Sequence, residues 1–435
     1  MAATEFTQKF DQKTAIAIVV ANMVGTGVFT SLGFQLLDIQ SVSMILSLWV
    51  IGGIAALCGA LTYAELGAQL PRSGGEYNFL GRLYHPSFGF VSGWLSITVG
   101  FAAPIALAAM TFGAYLGAVL PDINQPLAAS LLVVLLGLMH CYSRTVSGKA
   151  QLIFTLLKVI LILIFSVTAL AFSNHEMSLP KLPVASDLES LSSGAFAVAL
   201  IYVNYAYTGW NAATYLIDEI DQPAKRLPSI LMIGTLMVMA FYVLLNYVFL
   251  AVAPIEAMQG KVEVGVIAAE YAFGSLGGQL MGLMLSLLLI STVSAMLMAG
   301  PRVLQVIGQD FSMFNRLAKT NDDGLPQIAI LTVVALSVAF VLTSSFESVL
   351  VFSGFVLSLN TLFTVGGVFR LRAKGLLKKD TYQTWGYPIT PLIFLGLTLW
   401  TLIYILIQRP EEALAGLLVV ALGFGFYWLS GRVKA

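Results

Sequence analysis

The sequence predicts an all-α polytopic membrane protein, and three observations carry that prediction. Apolar residues fill 58% of the 435 positions and charged residues only 10%, more apolar surface than a water-soluble domain of this size has any use for. The apolar residues fall into runs that short polar breaks divide into twelve spans, most of them near or above the ~20 residues a helix needs to cross a bilayer. The basic residues then divide unevenly between the two sides. With both termini in the cytoplasm, only Lys181, Lys261 and Arg409 of the 22 Lys and Arg fall outside, and only Lys158 lies within a span. That bias is the one membrane topology follows, and an odd number of spans would scramble it.

The first span, 14–38, follows Lys9 and Lys13. It is too long for a signal-peptide core and lacks a small-residue cleavage site, so it is expected to stay as a helix. The others are placed at 42–70, 87–119, 125–143, 147–172, 192–219, 228–254, 273–301, 326–344, 347–370, 388–408 and 411–430. Two spans are interrupted. Gly25-Thr26-Gly27 stands at the centre of the first, where glycines weaken a helix. Tyr205-Ala206-Tyr207-Thr208-Gly209-Trp210 breaks the sixth in the same way. Irregular backbone at membrane depth is tolerated only where it lines a cavity or is buried in protein. A pair of interrupted spans in corresponding halves points to a transporter's substrate site. Each break is expected to open a five-helix half, 14–172 and 192–370, the second inverted relative to the first, with 388–430 as two extra helices.

Other function classes find little support. The formal net charge is zero, against nucleic acid as a partner. Cys58 and Cys141 fall in apolar spans and read as core thiols. His85, His140 and His175 are scattered and form no metal-ligand cluster. No catalytic dyad, phosphate loop or cofactor motif appears at membrane depth, against an embedded enzyme, and isolated hydroxyls do not make the polar pore of a channel.

The motifs then resemble a known family. Met23-Val24-Gly25-Thr26-Gly27-Val28-Phe29 resembles the first-helix signature of the amino acid–polyamine–organocation (APC) superfamily. Pro71-Arg72-Ser73-Gly74-Gly75-Glu76-Tyr77, with Gly89-Phe90 and Gly93-Trp94, resembles its second-loop and third-helix signature. Tyr205 to Asn211 with Glu219, Pro223 and Pro228 is similar to its sixth-helix signature, and Gly300-Pro301-Arg302-Val303 to the end of its eighth helix. The matches run in order over most of the chain and look closest to the L-type amino acid transporter-like branch. The resemblance implies a LeuT-type fold of 5+5 inverted repeats with helices 1 and 6 broken. It implies secondary active transport of amino acids. A basic amino acid or polyamine antiporter and a non-transporting sensor are the alternatives.

An α-amino acid carries a carboxylate and an ammonium, and broken helices offer backbone partners for both. A break at Gly25-Thr26-Gly27 frees N–H groups at the positive end of a half-helix, which suits a carboxylate. A break at Thr208-Gly209 is expected to leave the carbonyls of Tyr205, Ala206 and Thr208 for the ammonium. By resemblance, Thr26 and Gly27 meet the carboxylate, and the carbonyls of Met23, Tyr205 and Thr208 meet the amine. The same glycines would also serve close helix packing. Tyr205 occupies the family's aromatic gate, and Glu219 is expected to pair with a basic residue such as Arg72 in an inner gate.

Lys158 lies near the middle of the fifth span. A lysine there costs about 2.5–3.5 kcal/mol on insertion scales, so it must face the interior and find acceptors. By resemblance it stands where sodium-coupled relatives hold sodium, bridging the Gly25 carbonyl to helix-8 hydroxyls, Ser291 and Ser294. That implies sodium-independent transport, by proton symport or exchange. No Asp or Glu lies between Asp11 and Asp38 or between Glu189 and Asp218, which favours a neutral amino acid. The basic run Arg370 to Lys379 reads as a loop against anionic lipid headgroups. The 120–126 loop holds no cysteine, so no disulfide-linked accessory subunit is expected. A monomer or homodimer in a bacterial-type inner membrane is the default.

Overall fold

The computed structural model describes residues 11–142, 148–172, 191–311, 314–321, 324–378 and 380–429. Lys9, Arg144, Lys181, Lys379, Arg432 and Lys434, used above for orientation, lie outside the described residues, as do the predicted span ends at 143, 147 and 430.

The described residues form helices and connections, with no strand among them. The predicted first span is two helices, α1 (Gln12–Met23) and α2 (Gly27–Asp38). Asp11 starts α1 by accepting the Thr14 N–H at 2.8 Å, the usual work of an N-cap. Next come α3 (Val42–Gln69), a short α4 (Gly75–Leu83) that the hydropathy pattern does not announce, and α5 (Pro86–Val119) with a π-helical turn at Ser96–Phe101. α6 (Gln125–Tyr142) and α7 (Gly148–Phe172) follow.

The predicted sixth span is also divided. α8 (Gly194–Tyr207) is capped by Ser193, and a 3₁₀ helix, α9 (Ala212–Glu219), follows the break. α10 (Pro223–Val252), the single turn α11 (Ile255–Met258) and α12 (Val264–Asp310) come next. Gly274 has non-helical backbone (φ 78°, ψ −176°) and parts α12 into two helical segments at a kink, next to the predicted start at 273. The second segment runs past the predicted end at 301, carrying Pro301 inside it to Asp310. α13 (Gln327–Thr343), α14 (Phe346–Ala373), α15 (Ile389–Gln408) and α16 (Pro410–Leu429) close the described chain.

Among the described residues, ten helical stretches are long and apolar enough to cross a membrane, so the protein is an all-α polytopic membrane protein. Length alone does not reach the predicted twelve. The sixth span is split in two, and α13 has 17 residues.

α7 shows how lipid and core sort the sequence. Ile153, Leu156, Leu157, Ile160, Leu163, Ile164 and Val167 are exposed, while Thr155, Lys158, Ile162, Phe165 and Ala169 are buried. Spacings of three and four define two opposite faces of one helix, and Lys158 lies on the inward one.

The basic run at the end of α14 is not a free loop. Arg370 Nε and Lys374 Nζ donate to the Leu83 carbonyl at 2.8 and 2.9 Å, covering the C-terminal end of α4. Arg372 grips the buried Glu65 with two bonds of 3.0 and 2.8 Å and lies 3.6 Å from the centre of the Tyr387 ring. A buried carboxylate left without partners is costly, and this pairing competes with headgroup binding for the same cations.

Candidate functional site

The two breaks face each other. Between α1 and α2 the chain unwinds at Val24-Gly25-Thr26, and the Gly25 N–H folds back onto the Met23 carbonyl at 2.7 Å. α2 begins without a side-chain cap, so the first N–H groups of its opening turn have no partner within the helix. Thr26 is buried, and its carbonyl accepts from Thr30 Oγ1 and the Phe29 N–H.

The halves of the site touch through glycines. A Cβ on Gly27 would stand 2.6 Å from Ala206 Cα, and one on Gly209 would stand 2.8 Å from the Asn22 carbonyl. Gly209 also holds φ +102°, a conformation that only glycine takes freely. Close packing of the broken helices is therefore a real function of these two residues. Gly25 differs: its nearest neighbour for a Cβ is the Met23 carbonyl oxygen at 3.8 Å.

Three of the four carbonyls expected to be free, those of Met23, Tyr205 and Ala206, have partners. The Tyr205 carbonyl accepts from the Thr208 N–H at 3.0 Å and from Thr208 Oγ1 at 2.6 Å. The Tyr242 hydroxyl of α10 lies between the carbonyls of Met23 and Ala206, within bonding range of both. Buried acceptors in lipid seek donors wherever the fold supplies them, and here it supplies them from within. Tyr242 joins the two breaks through one hydroxyl and was not singled out from sequence, where a tyrosine in an apolar run reads as core.

Lys158 reaches the break, by a route one residue away from the expected one. Its ammonium stands 2.6 Å from Thr292 Oγ1 and 3.5 Å from the Val24 carbonyl oxygen. The expected acceptors, the Gly25 carbonyl and the Ser291 and Ser294 hydroxyls, are not its partners. Successive residues of a helix turn by ~100°, so the face of α12 that presents Thr292 turns Ser291 and Ser294 aside. Ser294 Oγ instead pairs with His140 Nε2 at 2.9 Å. Gly25, Thr26, Phe29, Lys158 and Thr292 help line a cavity of about 10 Å³, room for one water.

On the side where α2 ends, the path to the breaks is shut. Phe34 stacks on Tyr202 and on Phe346, with ring centres 6.0 and 5.6 Å apart. Tyr202 Oη donates to Glu347 at 2.7 Å, and Glu347 and Glu412 both pair with Arg409. Tyr205 is buried one turn closer to the break.

On the other side Glu219 is exposed, and neither it nor Arg72 forms an ion pair among the described residues. The expected Glu219–Arg72 gate is absent. At ~120° per residue, the tighter turn of α9 points its neighbour Asp218 at the loop instead. Asp218 Oδ2 accepts the Ser73 N–H, and Ser73 Oγ accepts the Asp218 N–H, both at 3.0 Å. Asp221 pairs with Arg226 at 3.0 Å.

Two helices broken side by side within an all-α membrane bundle, with polar backbone and one cation gathered at the breaks, define a transmembrane transporter. Comparison with known proteins gives its family. The Amino acid permease family matches residues 10–424, and the chain belongs to it. Among similar proteins, the large neutral amino acids transporter small subunit 2 of Oryctolagus cuniculus is 27% identical over 427 residues, 96% of this chain and 79% of the relative. The serine/threonine exchanger SteT of Bacillus subtilis is 26% identical over 431 residues, 97% and 96% of the two chains. The b(0,+)-type amino acid transporter 1 of Mus musculus is 24% identical over 426 residues, 96% and 86%.

Proposed function

We propose that the protein carries neutral α-amino acids across the cell membrane without sodium, with both termini cytoplasmic, by amino acid exchange or proton symport. The observation that carries this reading is the ammonium of Lys158, 3.5 Å from the Val24 carbonyl oxygen and 2.6 Å from Thr292. By the resemblance, this lysine stands where sodium-coupled relatives hold a sodium ion, which supports transport without sodium. The substrate's carboxylate meets the opening turn of α2 at Thr26 and Gly27, with Gly25 leaving room. Its ammonium meets carbonyls of Met23, Tyr205, Ala206 and Thr208, with Gly209 holding the second break open. Tyr205 covers the site toward the outside. The halves 14–172 and 192–370 form the inverted pair, and 388–430 lies beyond them.

Neutral substrates are favoured because membrane-depth segments of the first and sixth spans contain no acid. Two of the three relatives carry names that specify neutral amino acids, and one is named an exchanger. Both cysteines are buried, which supports a carrier without a disulfide-linked accessory subunit. The test is counterflow in proteoliposomes with labelled L-threonine and L-leucine. Saturable uptake that persists when choline replaces sodium is expected; uptake abolished by that replacement would overturn the sodium-free reading.

A further inference from the structure

The Pro71–Tyr77 motif has no part in the substrate site, yet each residue from Ser73 to Tyr77 is used. Gly74 and Gly75 hold φ +113° and +52°. A Cβ on Gly75 would stand 2.7 Å from the Tyr215 ring, so this loop is shaped around α9. Ser73 exchanges two bonds with Asp218 of α9. Tyr77 Oη donates to Asp310, the last residue of α12, at 2.6 Å. Burial first, and that hydrogen bond next, hold the Tyr77 phenol well above its usual range, so it remains a donor.

Glu76 is the centre of this arrangement. Its side chain is buried, and among the described residues no Lys, Arg or His pairs with it. Three neutral donors meet it instead: Tyr63 Oη of α3 at 3.0 Å, and Asn211 Nδ2 and Tyr215 Oη from the inner half of the sixth span. Hydrogen bonds to a carboxylate are about twice as strong as neutral ones, and an amide in its place turns its own N–H groups toward these donors. The carboxylate thus ties α3, α4 and α9 together at one point.

We propose that Ser73 to Tyr77 form a clasp on the cytoplasmic side, with Glu76 as its central positioning residue, and that the clasp holds the inner half of broken helix six closed and must release in each transport cycle. The role in a cycle rests on the transport reading above; the clasp itself does not. Its strength governs how readily α9 moves, and it touches no part of the amino acid cradle. Weakening it alters turnover and leaves substrate affinity in place.

The test uses a reporter that needs no substrate. Ile217 of α9 is fully buried and faces Gly67 of α3. With Cys58 and Cys141 replaced by Ala, Ile217→Cys reports solvent access to α9 through its rate of alkylation by N-ethylmaleimide. Glu76→Gln, which keeps shape and removes charge, is expected to raise that rate at least tenfold. Tyr215→Phe, which removes one donor, is expected to raise it about threefold and serves alone should Glu76→Gln not fold. In proteoliposomes, Glu76→Gln is expected to lower the maximal rate of L-threonine counterflow at least threefold, with the half-saturating concentration within twofold of the parent. Equal alkylation rates in parent and variants overturn the clasp whatever the flux. Faster alkylation in the variants, with a parent that carries no amino acid, upholds the clasp and overturns the transport reading instead.

Discussion

Gly25 and Gly27 look equivalent in the sequence and differ in their surroundings, so replacing each by alanine separates packing from binding. At Gly27 the added Cβ stands 2.6 Å from Ala206 Cα and 2.7 Å from Ala206 Cβ. Ordinary contact begins at 3.4 Å, so α2 and α8 must part by roughly 0.8 Å, the difference between 3.4 and 2.6. The obstacle is partly backbone, which no rotamer change relieves. Overpacking of this kind costs about 1–3 kcal/mol, and the better helix propensity of alanine returns about 1 kcal/mol. A net loss of about 0–2 kcal/mol, centred on about 1 kcal/mol, is expected for Gly27→Ala, seen as a melting temperature about 1 °C lower in detergent. Gly25→Ala meets its nearest atom at 3.8 Å and should melt within about 0.5 kcal/mol of the parent. Its effect on flux is then free of stability effects. Counterflow lost at full stability would mark the surface of Gly25 as functional. The reasoning fails if Gly27→Ala melts like the parent, or if Gly25→Ala is the less stable of the two.

Two further predictions concern the polar groups around the breaks. Lys158→Met keeps length and loses charge, leaving the Val24 carbonyl and Thr292 without their donor. Flux is expected to fall at least tenfold, and unimpaired counterflow by this variant would remove Lys158 from the mechanism. Tyr242→Phe takes one hydroxyl from two buried carbonyls, a loss of about 1–3 kcal/mol for an acceptor left unpaired. A bound amino acid supplies a replacement donor, so thermal stabilisation by L-threonine or L-leucine is expected to be larger in Tyr242→Phe than in the parent; equal or smaller stabilisation would refute it.

The parts legible in the sequence are those that the bilayer imposes. Apolar length marked most spans, and two glycine-bearing breaks stood out because lipid penalises unpaired backbone. Lys158 was legible for the same reason. Its acceptors were not, because α12 is apolar nearly all round and no face is marked by composition. A phase error of one residue then exchanges Thr292 for Ser291. The bond from Tyr242 to Met23 spans 219 positions, and nothing local records it. Glu219 was expected to meet a basic residue such as Arg72, but it is Asp218 that bonds the Ser73 loop. The eighth span was expected to end at Pro301, but α12 carries that proline inside it and runs on to Asp310. The clasp was visible as a motif but not as a contact, because its donors come from α3 and α9.

The cradle's internal hydrogen bonds bear on how an amino acid would bind it. An ammonium brings three donors, but the carbonyls of Met23, Tyr205 and Ala206 already receive bonds from Gly25, Thr208 and Tyr242. The Met23 and Tyr205 carbonyls each accept two bonds already, and the Ala206 carbonyl accepts one. Binding on the proposed reading is therefore largely an exchange of one donor for another, and such exchanges contribute little net free energy. What remains is the attraction of the charge to aligned backbone dipoles and the burial of the substrate's side chain. A site built this way is expected to bind weakly, nearer millimolar than nanomolar, about −4 kcal/mol rather than −12. That suits a carrier, which must release at the far face what it took up at the near one. It also places selectivity in the side-chain pocket, since Tyr242 and Thr208 yield to any α-amino group alike.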